Sequence, residues 1–191
     1  MVALISRTGR HLQRYNEGCR QVVGCIPYRY KNGKQPSSVD GDLNEELEVL
    51  VISSQKSQKM LFPKGGWEMD ETIEEAASRE SLEEAGVIGS VELIELGWDV
   101  LQCKLGKWSF MSKRYNTFYE GYMFPLLVKE QLEFWPEKNV RGRKWMTASK
   151  AKEVCQPLWM KEALDRLVHR LKSSQQSEEE DEKDVAPCSL C

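Results

Sequence analysis

The chain has 191 residues, 40% of them apolar and 30% charged, which describes an ordinary globular protein with room for one real core and tails. No run of eighteen apolar residues is present, so no membrane-spanning helix is expected, and the N-terminus lacks the apolar stretch of a secretory signal. The net charge of −3 hides an asymmetry: residues 178–184 hold six acids and one lysine, whereas residues 1–34 hold seven Arg or Lys against one acid, Glu17. Such a basic head suits an anionic ligand, and charged tails also serve plain solubility. Six cysteines (Cys19, Cys25, Cys103, Cys155, Cys188, Cys191) show no zinc-finger spacing and read as reduced thiols.

In chain order, residues 20–30 and 47–53 are short β-branched-rich runs that predict strands, joined by a polar surface loop. Residues 72–85 predict a helix: Thr72 and Glu75 form a capping signal, and Gly86 stops the run. Two further strands are expected over 91–103 and 117–128. A basic loop at 137–144 then leads into a short strand at Trp145. Residues 148–155 form a short helical piece, Pro157 interrupts, and Met160, Leu164, Leu167, Val168 and Leu171 recur at helical spacing. After Lys172 the chain turns to Ser, Gln, Glu and Asp, too polar to pack, and disorder is expected. The expected organisation is a basic N-terminal segment (1–19), one folded domain (20–172) and an acidic disordered tail (173–191).

The informative stretch runs from Gly65 to Val87. On a helix Glu80, Glu83 and Glu84 stand at i, i+3 and i+4 and share a face, where three carboxylates repel one another. A hard divalent cation removes that repulsion, because it takes oxygen ligands and keeps waters for a phosphate substrate. Arg79 is placed to hold Glu71 or a neighbouring glutamate in a bidentate pair. The glycines ahead of the helix let backbone approach metal and phosphate closely. Three glutamates alone would read as a solvated acidic face, but the pattern is more restrictive. It matches G-x5-E-x7-R-E-U-x-E-E-x-G-U at Gly65, Glu71, Arg79, Glu80, Glu83, Glu84 and Gly86. The chain therefore resembles the Nudix hydrolases over about residues 20–171. One departure is Ser81, where a bulky aliphatic residue is usual, and it puts the packing of the helix in question rather than the chemistry.

The resemblance implies an α/β fold, an α/β/α sandwich around a mixed sheet, and metal-dependent hydrolysis of phosphoanhydrides. It implies Mg²⁺ or Mn²⁺ held by Glu80, Glu84 and Glu83 with the carbonyl of Gly65 or Lys64. Glu83 would be a general base or further ligand, with Arg79 and Glu71 completing the catalytic set. Residues 101–105 carry neither the proline of many ADP-ribose hydrolases nor the tyrosine of many diadenosine-polyphosphate hydrolases. The segments FPKGGWE at 62–68, Arg14-Tyr15 leading into Gly18-Cys19-Arg20, and 139–145 look most like diphosphoinositol polyphosphate phosphohydrolases, especially the plant ones. Arg10, Arg14, Arg20, Lys64, Lys138, Arg141, Arg143 and Lys144 would then bind a crowded inositol pyrophosphate. Dinucleoside polyphosphates or other nucleoside diphosphate derivatives are the alternative substrates, and a non-catalytic phospholigand-binding module is a second alternative that the intact glutamates disfavour. No nucleic-acid partner is expected, for lack of aromatic platforms along a basic stripe. A monomer is expected, cytoplasmic or nuclear, with organelle import left open by the acid-free residues 1–16. The terminal Cys188-Ser189-Leu190-Cys191 has the form of a prenylation box, but its last residue and its acidic approach argue for an unmodified tail.

Overall fold

The computed structural model describes residues 5–31, 33, 42–55, 59–91, 104–112 and 117–184, with the backbone alone for 112 and 175–184. A long central strand organises everything else. β2 (Cys19–Tyr30) carries Val22, Val23, Cys25, Ile26 and Tyr28, all buried, so both of its faces are covered and it reads as a continuous apolar run. It lies parallel to β8 (Thr117–Gln131) from Arg20↔Tyr119 to Tyr28↔Leu127 and antiparallel to β3 (Leu47–Ser53).

β4 (Met60–Leu61) and β6 (Val87–Val91) complete the order β4-β3-β2-β8-β6. Four shorter partners join it. β1 (Tyr15–Asn16) and β5 (Lys64–Gly66) pair with β2, β7 (Gly106–Ser112) with β8, and β9 (Arg143–Thr147) with β3. The sheet is mixed, as expected.

Helices cover both faces. On one lie α2 (Ile73–Glu80) and a π-helical turn (Ser81–Ala85), over Val23, Cys25, Leu50, Ile52, Tyr122 and Phe124. On the other lie α3 (Ala148–Val154) and α4 (Leu158–Asp184), whose Met160, Ala163, Leu164, Leu167, Val168 and Leu171 pack on Ile26, Tyr28, Val49, Val51 and Met123. This is the α/β/α sandwich. Among the described residues no helix is long and apolar enough to cross a membrane.

Several expectations shift. The loop between the first two strands contains a one-turn helix, α1 (Leu43–Glu46), capped by Asp42 and pinned through the buried Leu43. β6 begins directly after Gly86, where no strand was expected; the strand expected over 91–103 overlaps it at residue 91 alone, and residues 92–103 lie outside those described. α4 runs on to Asp184, through the stretch expected to be disordered, so the boundary at 172/173 falls inside a helix. That stretch is polar throughout, but it holds no Gly or Pro and six of its residues are Glu or Gln, which favour helix without needing a core.

Candidate active site

Local chemistry aims the carboxylate helix. Thr72 caps α2 in a capping box: its hydroxyl accepts the Glu75 N–H at 3.2 Å, and the Glu75 carboxylate accepts the Thr72 N–H at 2.8 Å. The helix touches the sheet through Ala76, Ala77 and Ala85, all fully buried, so its backbone lies close to β2. Ser81 is also fully buried, and its hydroxyl donates to the Ala77 carbonyl at 3.0 Å. A bulkier residue would have to fit against Cys25, whose thiol also points at the Ala77 carbonyl, at 3.5 Å. From Ser81 the pitch widens into the π turn, and serine bonded back to the preceding turn is a known cause of such bending. Gly86 ends it at φ 64°. A Cβ there would stand 2.7 Å from the Arg143 guanidinium and the Trp135 ring, so only glycine fits.

Four glutamates of this stretch are buried together: Glu71, Glu80, Glu83 and Glu84. Arg79 is the common partner of the first three. It forms a bidentate pair with Glu71 (2.8 and 2.7 Å), donates to Glu80 at 2.7 Å and to the Gly66 carbonyl at 2.9 Å, and lies 3.5 Å from Glu83. Glu84 accepts the Lys64 backbone N–H at 2.8 Å and the Arg141 guanidinium. Glu83 accepts the Arg7 backbone N–H at 3.2 Å. Gly65 abuts the cluster, since a Cβ on it would meet the Glu80 carboxyl at 2.2 Å.

Burial drives the electrostatics. Desolvation, then the charge of Glu84, push the Glu80 carboxyl well above the usual range against the pull of Arg79. Burial also raises Glu84 and Glu83, despite Lys64 and Arg141 beside the first and the Arg7 N–H and Arg79 beside the second. Burial opposes the charge on Glu71 too, yet the Arg79 pair and the Glu68 N–H hold its carboxyl below the usual range. The outcome is one firmly ionised acid that fixes Arg79, and three acids under charge strain.

Among the described residues no three acidic, histidine or cysteine groups already converge at ligand distance; the guanidiniums of Arg79 and Arg141 engage the carboxylate oxygens instead. The donor set nevertheless suits a hard divalent cation. It is all oxygen, it sets four carboxylates against two guanidiniums, and the Gly65 backbone stands against the Glu80 carboxyl with no side chain between them.

A model of the NUDIX domain matches residues 42–171. The chain belongs to the Nudix family. It is 61% identical over 171 residues to Nudix hydrolase 18, mitochondrial, of Arabidopsis thaliana, covering 90% of this chain and 89% of that one. It is 29% identical over 143 residues to diphosphoinositol polyphosphate phosphohydrolase 3-alpha of Mus musculus, covering 73% and 71%. Among solved structures, the fold is similar to that of a C. elegans Ap4A hydrolase binary complex, with a TM-score of 0.56 and 19% identity over 80% of this chain and 98% of that one. The protein is thus a Nudix hydrolase, an enzyme acting on phosphoanhydrides, and Nudix hydrolases generally use divalent metal ions.

The cations expected at the substrate fall into two groups in this Nudix hydrolase. Arg14 lies 4.5 Å over the Trp67 ring and donates to the carbonyls of Glu68, Met69 and Glu71. Arg143 lies 3.9 Å over the Trp135 ring and donates to the carbonyls of Ala85, Gly86 and Leu132. Both bind main chain. Arg20 is held by Gln13 at 2.9 and 2.6 Å. Arg141 reaches the carboxylates themselves, bonded to Glu84, to Glu137 at 2.5 Å and to the Ser53 carbonyl at 3.1 Å. Lys64 sits on β5 with its amide on Glu84. Arg10, Lys138 and Lys144 are exposed, Lys138 lying 4.1 Å over the Phe134 ring.

Two contributors have no counterpart in the sequence pattern. Glu137 accepts Gln55 at 3.1 Å as well as Arg141, and its N–H donates to the Glu83 carbonyl at 3.1 Å. Arg7, in the segment ahead of β1, is the other. Arg7 left a trace as one cation of the basic head, and Glu137 as the one acid of the basic loop 137–144.

Proposed function

We propose that this Nudix hydrolase cleaves the phosphoanhydride of diphosphoinositol polyphosphates. The observation that carries the reading is the bond from Arg141 to Glu84, which brings the basic loop 137–144 to the carboxylates themselves. A substrate cleaved at that point lies beside Arg141 and Lys64, with Arg10, Lys138 and Lys144 exposed for further contacts. Guanidiniums suit the closely spaced phosphates of an inositol ring, since bidentate contacts add up. The likeness to the mouse diphosphoinositol polyphosphate phosphohydrolase supports the same substrate class. Arg14, Arg20 and Arg143, being committed to carbonyls and to Gln13, support this surface rather than grip the ligand.

In this reading Glu80, Glu84 and Glu83, with the Gly65 carbonyl, hold Mg²⁺ or Mn²⁺. When bound, the ion neutralises phosphate oxygens and lowers the pKa of a water. Glu83 takes the proton of the attacking water or serves as a further ligand, burial making its carboxylate a stronger base than a free one. Arg79, locked by Glu71, holds Glu80 and Glu83 in register and places no charge on the substrate itself. The Arabidopsis relative is named mitochondrial, which supports organelle import beside a cytoplasmic or nuclear site for this chain.

Phosphate release from inositol pyrophosphates, diadenosine polyphosphates, ADP-ribose and NADH, each with Mg²⁺, tests the reading. The highest kcat/KM is expected for the inositol pyrophosphates. Highest kcat/KM on a dinucleoside polyphosphate would keep the carboxylate chemistry and discard the substrate.

A further inference from the structure

The N-terminal residues cross the carboxylate cluster rather than trail away from it. Ser6 donates to Glu137 at 3.5 Å, and the Arg7 N–H donates to Glu83. Past them the chain is stitched down: Met69 N–H donates to the Leu12 carbonyl at 2.7 Å, and the buried Gln13 bonds to the carbonyls of Gln21 and Trp67. Arg14 fastens the far end onto the Glu68–Glu71 turn through three carbonyls. Residues 5–12 thus form a strap with one end anchored in the sheet and the other on Glu83.

The Arg7 guanidinium is the part of this strap that faces the acids. It lies 2.6 Å from Glu68, 3.0 Å from Asp70 and 4.0 Å from Glu71, with its side chain 40% exposed and that of Asp70 46% exposed. The pair with Asp70 joins two exposed partners and is easily exchanged, while Glu68 is the more covered partner, its side chain 16% exposed. A phosphate competes with them because it brings three acceptor oxygens and more than one negative charge to the planar fork, against a single charge on each carboxylate. Beside the guanidinium is a cavity of ≈ 290 Å³ lined by Arg7, His11, Leu12, Glu68 and Asp70, room for a phosphate at the Arg7 side chain. Arg14 and Arg20 lack this freedom, their guanidiniums being spent on carbonyls and on Gln13.

We propose that Arg7 is a substrate-binding residue of this enzyme: the strap carries its guanidinium over the carboxylates, where it exchanges Glu68 and Asp70 for a phosphate of the substrate. This rests on the reading of Glu83 and its neighbours as the phosphoanhydride site. It does not depend on what the phosphates are attached to.

The test is binding and turnover side by side in the full chain. The probe is methylenediphosphonate with Mg²⁺, a diphosphate analogue whose P–C–P bridge is not hydrolysed, followed by calorimetry. Arg7→Ala is expected to weaken its binding about tenfold and to raise KM about tenfold for whichever polyphosphate the wild type turns over, with kcat within about twofold. Arg7→Lys keeps the charge and is expected to recover part of both losses. Unchanged analogue binding in Arg7→Ala overturns the proposal, as does a loss that Arg7→Lys shares in full. A wild-type preference for nucleotides overturns the inositol reading alone, because the analogue carries neither inositol nor nucleoside.

Discussion

On one face of the sheet the helix meets the strands through alanine, and on the other through leucine, methionine and valine. Ala76, Ala77 and Ala85 bury little side chain each, but they bring α2 and its π turn close to β2, so that Glu80 reaches Gly65 and Glu84 reaches the Lys64 amide. Met160, Leu164, Leu167 and Leu171 hold α4 on a broad apolar layer with no charged group among the buried residues of that cluster. Close approach with buried charge serves chemistry and strains the fold, whereas deep apolar burial serves stability. Damage to the two faces should therefore be separable.

Glu83→Gln is the strongest way to sharpen the contrast: kcat is expected to fall on the order of a thousandfold. Its Tm without metal should be no lower than the wild type's, since burial opposes the charge that the substitution removes. A marked drop in Tm with activity retained would reverse the assignment of the faces. Leu164→Ala is the converse case, expected to cost about 2–5 kcal/mol in denaturant unfolding with kcat unchanged below the transition.

Gly65→Ala should cost about a hundredfold in kcat, because the added methyl collides with the Glu80 carboxyl and displaces it. Full activity in that variant would mean that Glu80 need not stand where it does. Thr72→Ala removes the hydroxyl of the capping box and should lower stability by about 1 kcal/mol, with little change in kcat once Mg²⁺ is saturating. A larger effect on kcat than on Tm would show that the cap aims the glutamates as well as starting the helix.

Legibility in the sequence followed the range of the interactions. β2, β3, β8, α2 and the first half of α4 were readable because their own residues carry the period and the stop signals. β1, β4 and β5 have two or three residues each; only pairing with β2 or β3 makes them strands. The glutamates and Arg79 sit at fixed local spacing and could be named from it, as could the Glu71–Arg79 pair that the structure contains. Arg7 and Glu137 could not, because they reach Glu83 from 76 positions before it and from the loop before β9, across separations that no local pattern records. Arg14 and Arg143 show the opposite limit: charge made them look like ligand contacts, while their geometry ties them to carbonyls and indole rings.

The junction around Gly86 has a mechanical consequence. Leu132 N–H donates to the Gly86 carbonyl at 2.8 Å, Glu137 N–H to the Glu83 carbonyl at 3.1 Å, and Arg143 to Ala85 and Gly86, so the loop before β9 is riveted to the end of the glutamate helix. The two share one stiffness and cannot swing apart like a hinged door. Traffic into and out of the site is then expected to work the softer wall, residues 5–12. Faster amide hydrogen exchange there than across 132–143, measured with and without a bound diphosphate, would register that division of compliance.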